Sequence, residues 1–272
     1  MRHINEDTIT QAVIARHAAA GDARLREVMT SLVQHLHAFA REVKLTEAEW
    51  DGGLRFLAEC GRAHVPGRPE VTLLSDTLGL SALVTALNQR KPRGCTEASV
   101  AASAPADVAA PGRGSDAGER CYVCGRVLAL DGTPIAGAEI RAGRAGDDTG
   151  QERLLTGADG SFLFSTGVAV PRPIAHDGPV GRLLHALGRH PWRPAHLSFI
   201  ISAPGYERLV THVFRQGDPF LDADAAFGVR GSLVADWVRH ERGRTPDGHT
   251  SERPFTTLDF AFVLNATTGD TS

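Results

Sequence analysis

The stretch RPAHLSF, residues 193–199, brings three side chains that could do chemistry close together in the chain. Arg193 carries a fixed positive charge, His196 an imidazole with an ordinary pKa of about 6.5, and Ser198 a hydroxyl group. Residues two apart on a β-strand project from the same face, so His196 and Ser198 would point the same way on an extended segment. The stretch therefore predicts one strand face that carries both side chains, with His196 as a candidate general acid or base.

Two other chemistries for these residues have weaker signatures. A Ser198–His196 nucleophile pair would need a nucleophile-elbow motif and a third partner, and the sequence offers neither. A divalent metal held by His196, His176 and His212 has no recognisable ligand spacing, and it stays open as an alternative.

The elements that would position these residues are of two kinds. Between Asp22 and Phe39 the apolar residues recur at steps of three or four, which predicts a helix with one buried face. Thr46 and Glu49 have the spacing of a capping box at the start of another helix, and SDTLGLSALVTALNQ predicts one more. We therefore assign residues 1–95 to a helical domain.

In the second half of the chain the apolar residues recur with a period of two. Residues 96–118 are rich in Ala, Pro and Gly and can bury little, so they predict a linker or pocket loop. Over residues 119–266, short alternating segments are separated by Asp-Gly and Pro-Gly turns. This pattern predicts a mainly-β fold, a Greek-key-type β-sandwich preceded by the α-helical domain.

Composition excludes several classes of protein. With 29 Lys and Arg against 32 Asp and Glu, the chain has no basic excess for a nucleic-acid backbone. No run of 18 apolar residues and no signal-peptide pattern occur, which predicts a cytoplasmic protein without a membrane span. The four cysteines do not form a disulfide framework. Cys121 and Cys124 have a Cys-x-x-Cys spacing, but residues three apart on a strand face opposite sides, so we expect no metal site there.

Several segments together resemble the intradiol ring-cleavage dioxygenases, particularly the catechol and hydroxyquinol 1,2-dioxygenases. They are GRVLALDGTPIAGAEI, ADGSFLF, DGPVGRLL, GRHPWRPAH, SAPGYERLVTHVF, GDPFLDADAAFGV and TTLDFAFVL, in one order over most of the chain. The resemblance implies a β-sandwich, dimerisation through the helical domain with lipid held at that interface, and a ferric ion that opens a catechol ring. It also implies that the ion is bound by two tyrosinates and the two histidines of a His-x-His strand.

The residues at the ligand positions depart from this family pattern. His196 matches the first strand histidine, but Ser198 stands where the second belongs, and Arg172 falls on one tyrosine position. The segment that should hold the other tyrosine contains none, and the chain has only two tyrosines, Tyr122 and Tyr206. Ferric ion needs anionic oxygen donors, so these departures predict that the family's iron is absent and that no cofactor is bound.

The resemblance also suggests pocket walls. Arg193 matches a residue that stabilises negative charge on the substrate, with a structural salt bridge as the equal alternative. The other expected substrate-binding residues are Leu73, Asp76, Val100, Ser198, His212 and His176. Asp76 could instead cap the following helix, His176 could be a solvated loop residue, and His212 could be structural. The small residues 101–104 after Val100 would widen the pocket.

These observations lead to one main functional expectation and two alternatives. The main one is a metal-independent enzyme that cyclises, dehydrates, isomerises or hydrolyses an oxygenated aromatic or polyketide-like substrate, with His196, Arg193 and Arg172 as catalytic residues. The alternatives are an active intradiol dioxygenase of the catechol or hydroxyquinol type with an altered metal site, and a pseudoenzyme that binds a phenolic ligand or a partner. We expect a homodimer with a small aromatic or phenolic substrate.

Overall fold

A computed structural model describes residues 4–100, 119–144 and 152–267. Its helices are α1 (Ile9–His17), α2 (Ala23–Glu42), α3 (Glu47–Ala63), α4 (Glu70–Thr77), α5 (Leu80–Asn88) and α6 (Pro179–Ala186). The longer strands are β1 (Arg120–Ala129), β2 (Glu139–Arg144), β3 (Glu152–Leu155), β4 (Ser161–Gly167), β7 (His196–Ser202), β8 (Leu209–Arg215), β10 (Trp237–His240), β13 (Phe255–Asp259) and β14 (Phe262–Leu264). The two-residue strands are β5 (Arg172–Pro173), β6 (Trp192–Arg193), β9 (Val234–Ala235), β11 (Gly243–Arg244) and β12 (Thr250–Ser251).

The chain divides into two compact units, Met1–Ala58 and Glu59–Ser272. The first contains α1, α2 and the first part of α3, whereas α4 and α5 of the predicted helical domain belong to the second. The caps of α2 and α3 are formed by residues near the start of each helix. Asp22 accepts hydrogen bonds from the backbone N–H groups of Arg24 and Leu25, and Thr46 and Glu49 form the predicted capping box. The predicted domain limits at 95 and 118 stay predictions, because much of that linker lies outside the described residues.

The apolar face of α2 is not buried within one chain. The stripe residues are 44–54% exposed, and they are Leu25, Val28, Leu32, Leu36 and Phe39. The periodicity identified the helix correctly, but the expectation of a buried face is wrong for the single chain. Periodicity shows only that a face is apolar and says nothing about what covers it.

The segment SDTLGLSALVTALNQ forms parts of two helices rather than one. Gly79 adopts a left-handed conformation (φ +74°), which a residue with a Cβ rarely adopts, and it ends α4 before α5 begins. No described helix is alone long and apolar enough to cross a membrane. Only α4 and α5 together, bent by 78°, reach that length and composition.

The second unit is built on two five-stranded sheets, which confirms the mainly-β prediction. One has the order β10-β13-β1-β14, with β4 also paired to β1, and the other has the order β3-β2-β7-β8-β9. The core includes Leu197, Phe199 and Ile201 on β7 and the rings of Phe162 and Phe262. Burying each such side chain stabilises the fold by about 1.5–3 kcal/mol. This core fixes which face of β7 is left for His196 and Ser198.

Candidate active site

His196 begins β7 on the face opposite the core and is almost fully buried. Its Nδ1 atom lies 2.7 Å from the carbonyl oxygen of Pro194. A carbonyl oxygen only accepts, so Nδ1 carries the proton and donates, and Nε2 keeps a lone pair. The Nε2 atom is buried and has no hydrogen-bond partner in the part of the chain that the structure describes. A buried acceptor without a partner is the strongest local indication of a bound group at this site.

Burial, followed by the charge of Arg193, lowers the pKa of His196 to about 3. The imidazole is therefore neutral at physiological pH. Its ordinary pKa made His196 a candidate for proton transfer near neutrality, but this environment favours a role as a lone-pair donor. The difference between the ordinary pKa and the lowered pKa of His196 is caused by tertiary packing, which the spacing of residues in the sequence does not reveal.

His212 lies on β8, directly opposite Ser198 in the strand register, and its ring centroid is 4.7 Å from that of His196. The hydroxyl of Ser99 donates to the carbonyl of Gly228 at 2.9 Å and thus accepts from Nδ1 of His212 at 3.0 Å. Burial, followed by the neighbouring His196 and Arg193, lowers the pKa of His212 well below its ordinary value. Both imidazoles are therefore neutral, with Nε2 as acceptor.

Arg193 is paired with Asp224 in a buried, two-point ion pair. Its Nε atom donates to one carboxylate oxygen at 2.9 Å and its Nη2 atom to the other at 3.1 Å. The backbone N–H groups of Ala226 and Gly228 also donate to Asp224. Burial raises the pKa of Asp224, but the charge and hydrogen bonds of Arg193 outweigh that effect and hold it below its ordinary value. The salt-bridge alternative for Arg193 is thus present in the structure.

Three residues of this network are not indicated by the sequence: Ser99, Asp224 and Gly228. Asp224 is 31 residues from Arg193, and Ser99 is 113 residues from His212. Neither pair has a characteristic spacing, so no local signal could have identified them. The segment GDPFLDADAAFGV contains Asp224 and Gly228, but it was informative only as part of the family resemblance.

Arg172 and His176 lie in the segment before α6. Arg172 on β5 is directly opposite Arg193 on β6 and is half-buried. His176 is exposed, and its Nδ1 atom lies 3.0 Å from the carbonyl oxygen of Ile174 in the same loop. The structure therefore brings Arg172 to Arg193, whereas His176 remains a solvent-facing loop residue.

The expected wall residues Leu73, Asp76 and Val100 are all buried. Leu73 and Asp76 lie on α4, and the helix-cap alternative for Asp76 is wrong because the N-cap of α5 is Gly79, without a side-chain cap. Residues 101–104, which were expected to widen the pocket, lie outside the described residues. A nearby cavity of about 550 Å³ is lined by Asp224 and Phe227, among other residues.

The donors in the described residues do not fit the family's ferric centre. His196, with its free Nε2, matches one ligand, but a hydroxyl and a guanidinium stand at two other positions. Tyr122 packs edge-on against Phe255 in β13, and Tyr206, directly after a turn, forms an isolated β-bridge with Ala266. No group of three or more His, Cys, Asp or Glu that could hold a metal occurs in the part of the chain that the structure describes.

Comparison with known proteins covers nearly the whole chain. The family model described as "Catechol dioxygenase N terminus" matches residues 22–96, and the model described as "Dioxygenase" matches residues 96–266. The 6-chlorohydroxyquinol 1,2-dioxygenase of Cupriavidus pinatubonensis is 49% identical over 98% of this chain and 100% of its own length. The hydroxyquinol 1,2-dioxygenase of Nocardioides simplex is 40% identical, with 95% of each protein covered.

A solved structure shows the same relationship in three dimensions. The hydroxyquinol 1,2-dioxygenase of Pseudomonas putida DLL-E4 superposes with a TM-score of 0.84 at 37% identity, covering 96% of this chain and 98% of the other. Similarity of this extent includes both the helical segment and the β-sandwich.

These similarities overturn two expectations from the sequence. The expected metal-independent, non-oxidative enzyme is wrong, because relatives that are similar along the entire chain are named as dioxygenases. The expected lack of a cofactor is contradicted as well, because the family that these relatives represent works with ferric ion. Both expectations rested on the substitutions at residues 172 and 198. Those substitutions are local departures within an otherwise dioxygenase-like sequence.

Proposed function

The chain belongs to the intradiol ring-cleavage dioxygenase family, and from this premise we propose that it opens the ring of a hydroxyquinol-type aromatic compound. The metal site of the proposed enzyme departs from the family's ligand set at Ser198 and Arg172. The observation that carries this proposal is the 49% identity to a 6-chlorohydroxyquinol 1,2-dioxygenase over 98% of this chain.

The described residues suggest how the ring would be bound. The buried face of β7 and β8 offers two neutral imidazoles, His196 and His212, whose Nε2 atoms can accept hydrogen bonds from ring hydroxyls. Arg193 supplies positive charge close to both histidines, which favours an ionised phenolic oxygen. Leu73 and Val100 are apolar side chains suited to a pocket wall against an aromatic face.

The test measures ring opening by purified protein whose metal content has been determined. Oxygen uptake would be measured with hydroxyquinol, 6-chlorohydroxyquinol and catechol, and the products would be identified by mass spectrometry under isotopically labelled oxygen gas. We expect both atoms of one oxygen molecule in a ring-opened dicarboxylic product from a hydroxyquinol. Failure of iron-replete, folded protein to open any of the three rings would refute the proposal.

Variants would link turnover to the site. His196→Ala and Arg193→Met should each reduce ring opening by at least about 100-fold, because each removes a buried polar group at the reacting face. Arg126→Met on β1 is a matched control, since its side chain is exposed and its one ion pair among the described residues is with Asp159. Equal activity of the His196→Ala protein and the control would contradict the placement of the site.

We also propose that the protein is a homodimer formed through the stripe of α2 residues defined above. The stripe is about half exposed in one chain, and Trp50, Leu54 and Leu57 on α3 add further exposed apolar surface. Light scattering should give twice the mass of the 29.0 kDa chain, and Leu32→Glu should shift the protein towards monomer. A monomeric wild type at micromolar concentration would refute this. Lipid at this interface and a cytoplasmic location stay predictions.

A further inference from the structure

The ribbon of β5 and β6 places two arginines directly opposite each other. Arg172 pairs with Arg193, and Pro173 pairs with Trp192. Side chains that are directly opposite in an antiparallel pair project from the same face, with Cβ atoms about 4.5–5.5 Å apart, and like charges in this arrangement are destabilising. The ribbon therefore requires negative charge from elsewhere.

The carboxylate of Asp224 cannot supply that charge to both arginines. Its two oxygens accept from Nε and Nη2 of Arg193 and from the backbone N–H groups of Ala226 and Gly228. A carboxylate has about four lone-pair positions, and these four donors use them. The backbone of Gly228 also packs closely against this ion pair, because a Cβ there would lie 2.6 Å from Nη2 of Arg193. The acceptor positions of Asp224 are therefore all used by Arg193 and by the backbone N–H groups of its own loop.

Arg172 has no charge partner in the part of the chain that the structure describes. It is half-buried, with a proline on either side of it that restricts the backbone. The two histidines of the candidate site, His196 and His212, cannot offset its charge, because an imidazole side chain is either neutral or positively charged. Among these groups, one positive charge remains uncompensated beside the candidate active site.

We propose that Arg172 binds a carboxylate group carried by the aromatic substrate, so that the protein acts on carboxylated hydroxyquinol- or catechol-type rings. This inference rests on the proposed function, because it assigns the substrate class of the same site. A carboxylate fits better than a phenolic oxygen for two reasons. A guanidinium binds the two oxygens of a carboxylate through two parallel hydrogen bonds. A carboxyl group is also ionised at neutral pH, whereas an ordinary phenol with a pKa of about 10 is not.

The experiment measures ligand binding without turnover. Dissociation constants for catechol, 2,3-dihydroxybenzoate and 3,4-dihydroxybenzoate would be determined by calorimetry under argon, with wild type, Arg172→Gln, Arg172→Lys and Arg126→Gln. We expect wild type to bind at least one of the dihydroxybenzoates about 10- to 100-fold more tightly than catechol, as typical for a hydrogen bond to a charged group. Arg172→Gln should abolish this preference, Arg172→Lys should retain part of it, and Arg126→Gln should keep all of it.

Two results would overturn the inference. One is a wild type that binds neither dihydroxybenzoate more tightly than catechol, or whose preference survives Arg172→Gln. The other is an Arg172→Gln protein that loses catechol and dihydroxybenzoate binding equally, which would give Arg172 a purely structural role. Oxygen is excluded from these binding measurements, so they do not depend on ring opening. Failure of the proposed function would appear only in the oxygen-uptake assay.

Discussion

Replacing Asp224 by Asn should destabilise the protein more than any equally small change at its surface. The substitution preserves size but removes the negative charge opposite the buried Arg193. It also turns one acceptor into an NH₂ group that would face N–H donors, since Nη2 of Arg193 and the N–H of Gly228 share one carboxylate oxygen. Breaking a buried ion pair from one side typically costs about 3–5 kcal/mol, because a charge is left without a partner. In a chain of this length the melting temperature should fall by about 6–20 °C.

Asp177→Asn is the matched control for Asp224→Asn. The Asp177 side chain is 74% exposed and paired with Arg68, and surface ion pairs contribute only about 0–1 kcal/mol. Thermal and urea unfolding of both variants would be compared with wild type. In a double-mutant cycle with Arg193→Met, the double variant should lose much less stability than the sum of the single losses. An Asp224→Asn protein as stable as the Asp177→Asn control, or additive losses in the cycle, would refute the reasoning.

The pH dependence of this difference follows from the lowered pKa of Asp224. A carboxyl group whose pKa is lower in the folded state stabilises the fold above its ordinary pKa, and this contribution is lost as the pH falls through the folded value. The difference between wild type and Asp224→Asn should therefore be constant from about pH 5 to pH 8. It should shrink only in strong acid. A difference that already disappears between pH 5 and pH 6 would contradict the assigned pKa direction.

Three further predictions concern neighbouring groups. Gly228→Ala should cost about 1–3 kcal/mol in urea unfolding, because the new Cβ would lie 2.6 Å from Arg193, whereas Gly231→Ala has open space and should be nearly neutral. Chelator-treated protein should lose stability as the pH falls below about 6.5, because His196 takes up a proton in the unfolded chain but stays neutral in the fold. His196→Gln should reduce the slope of unfolding free energy against pH by about 1.4 kcal/mol per pH unit. An unchanged slope would refute the lowered pKa. Burial raises the pKa of the Cys121 thiol to about 12, so iodoacetamide at pH 8 should modify it only after denaturation, and rapid native labelling would contradict this burial.

The departures at Ser198 and Arg172 show how residue-level and chain-level information can disagree. Each substitution is correctly read from the sequence, and the structure places both residues at the candidate site. The similarity to dioxygenases over the whole chain nevertheless contradicts the metal-free enzyme that they suggested. A ligand position identified by resemblance specifies where a side chain lies, but not which other groups complete the site.

The sequence by itself determined most of the elements and their order, although it predicted one helix where α4 and α5 form. Helix caps at Asp22 and Thr46, alternation along β7 and the turn residues between strands are local properties, so they can be recognised within a few residues. The family resemblance came from the same kind of information, because its motifs are short and occur in one order. These features sufficed for the β-sandwich and for the position of His196.

Only the tertiary structure decided the chemical state of the site. The pairing of Arg193 with Asp224 and of Ser99 with His212 joins residues far apart in sequence, and no spacing rule connects them. The low pKa of His196 depends on its burial and on the charge of Arg193, which are properties of the packed fold. Local patterns specify which elements form, whereas hydrogen bonding and electrostatics depend on which elements come together.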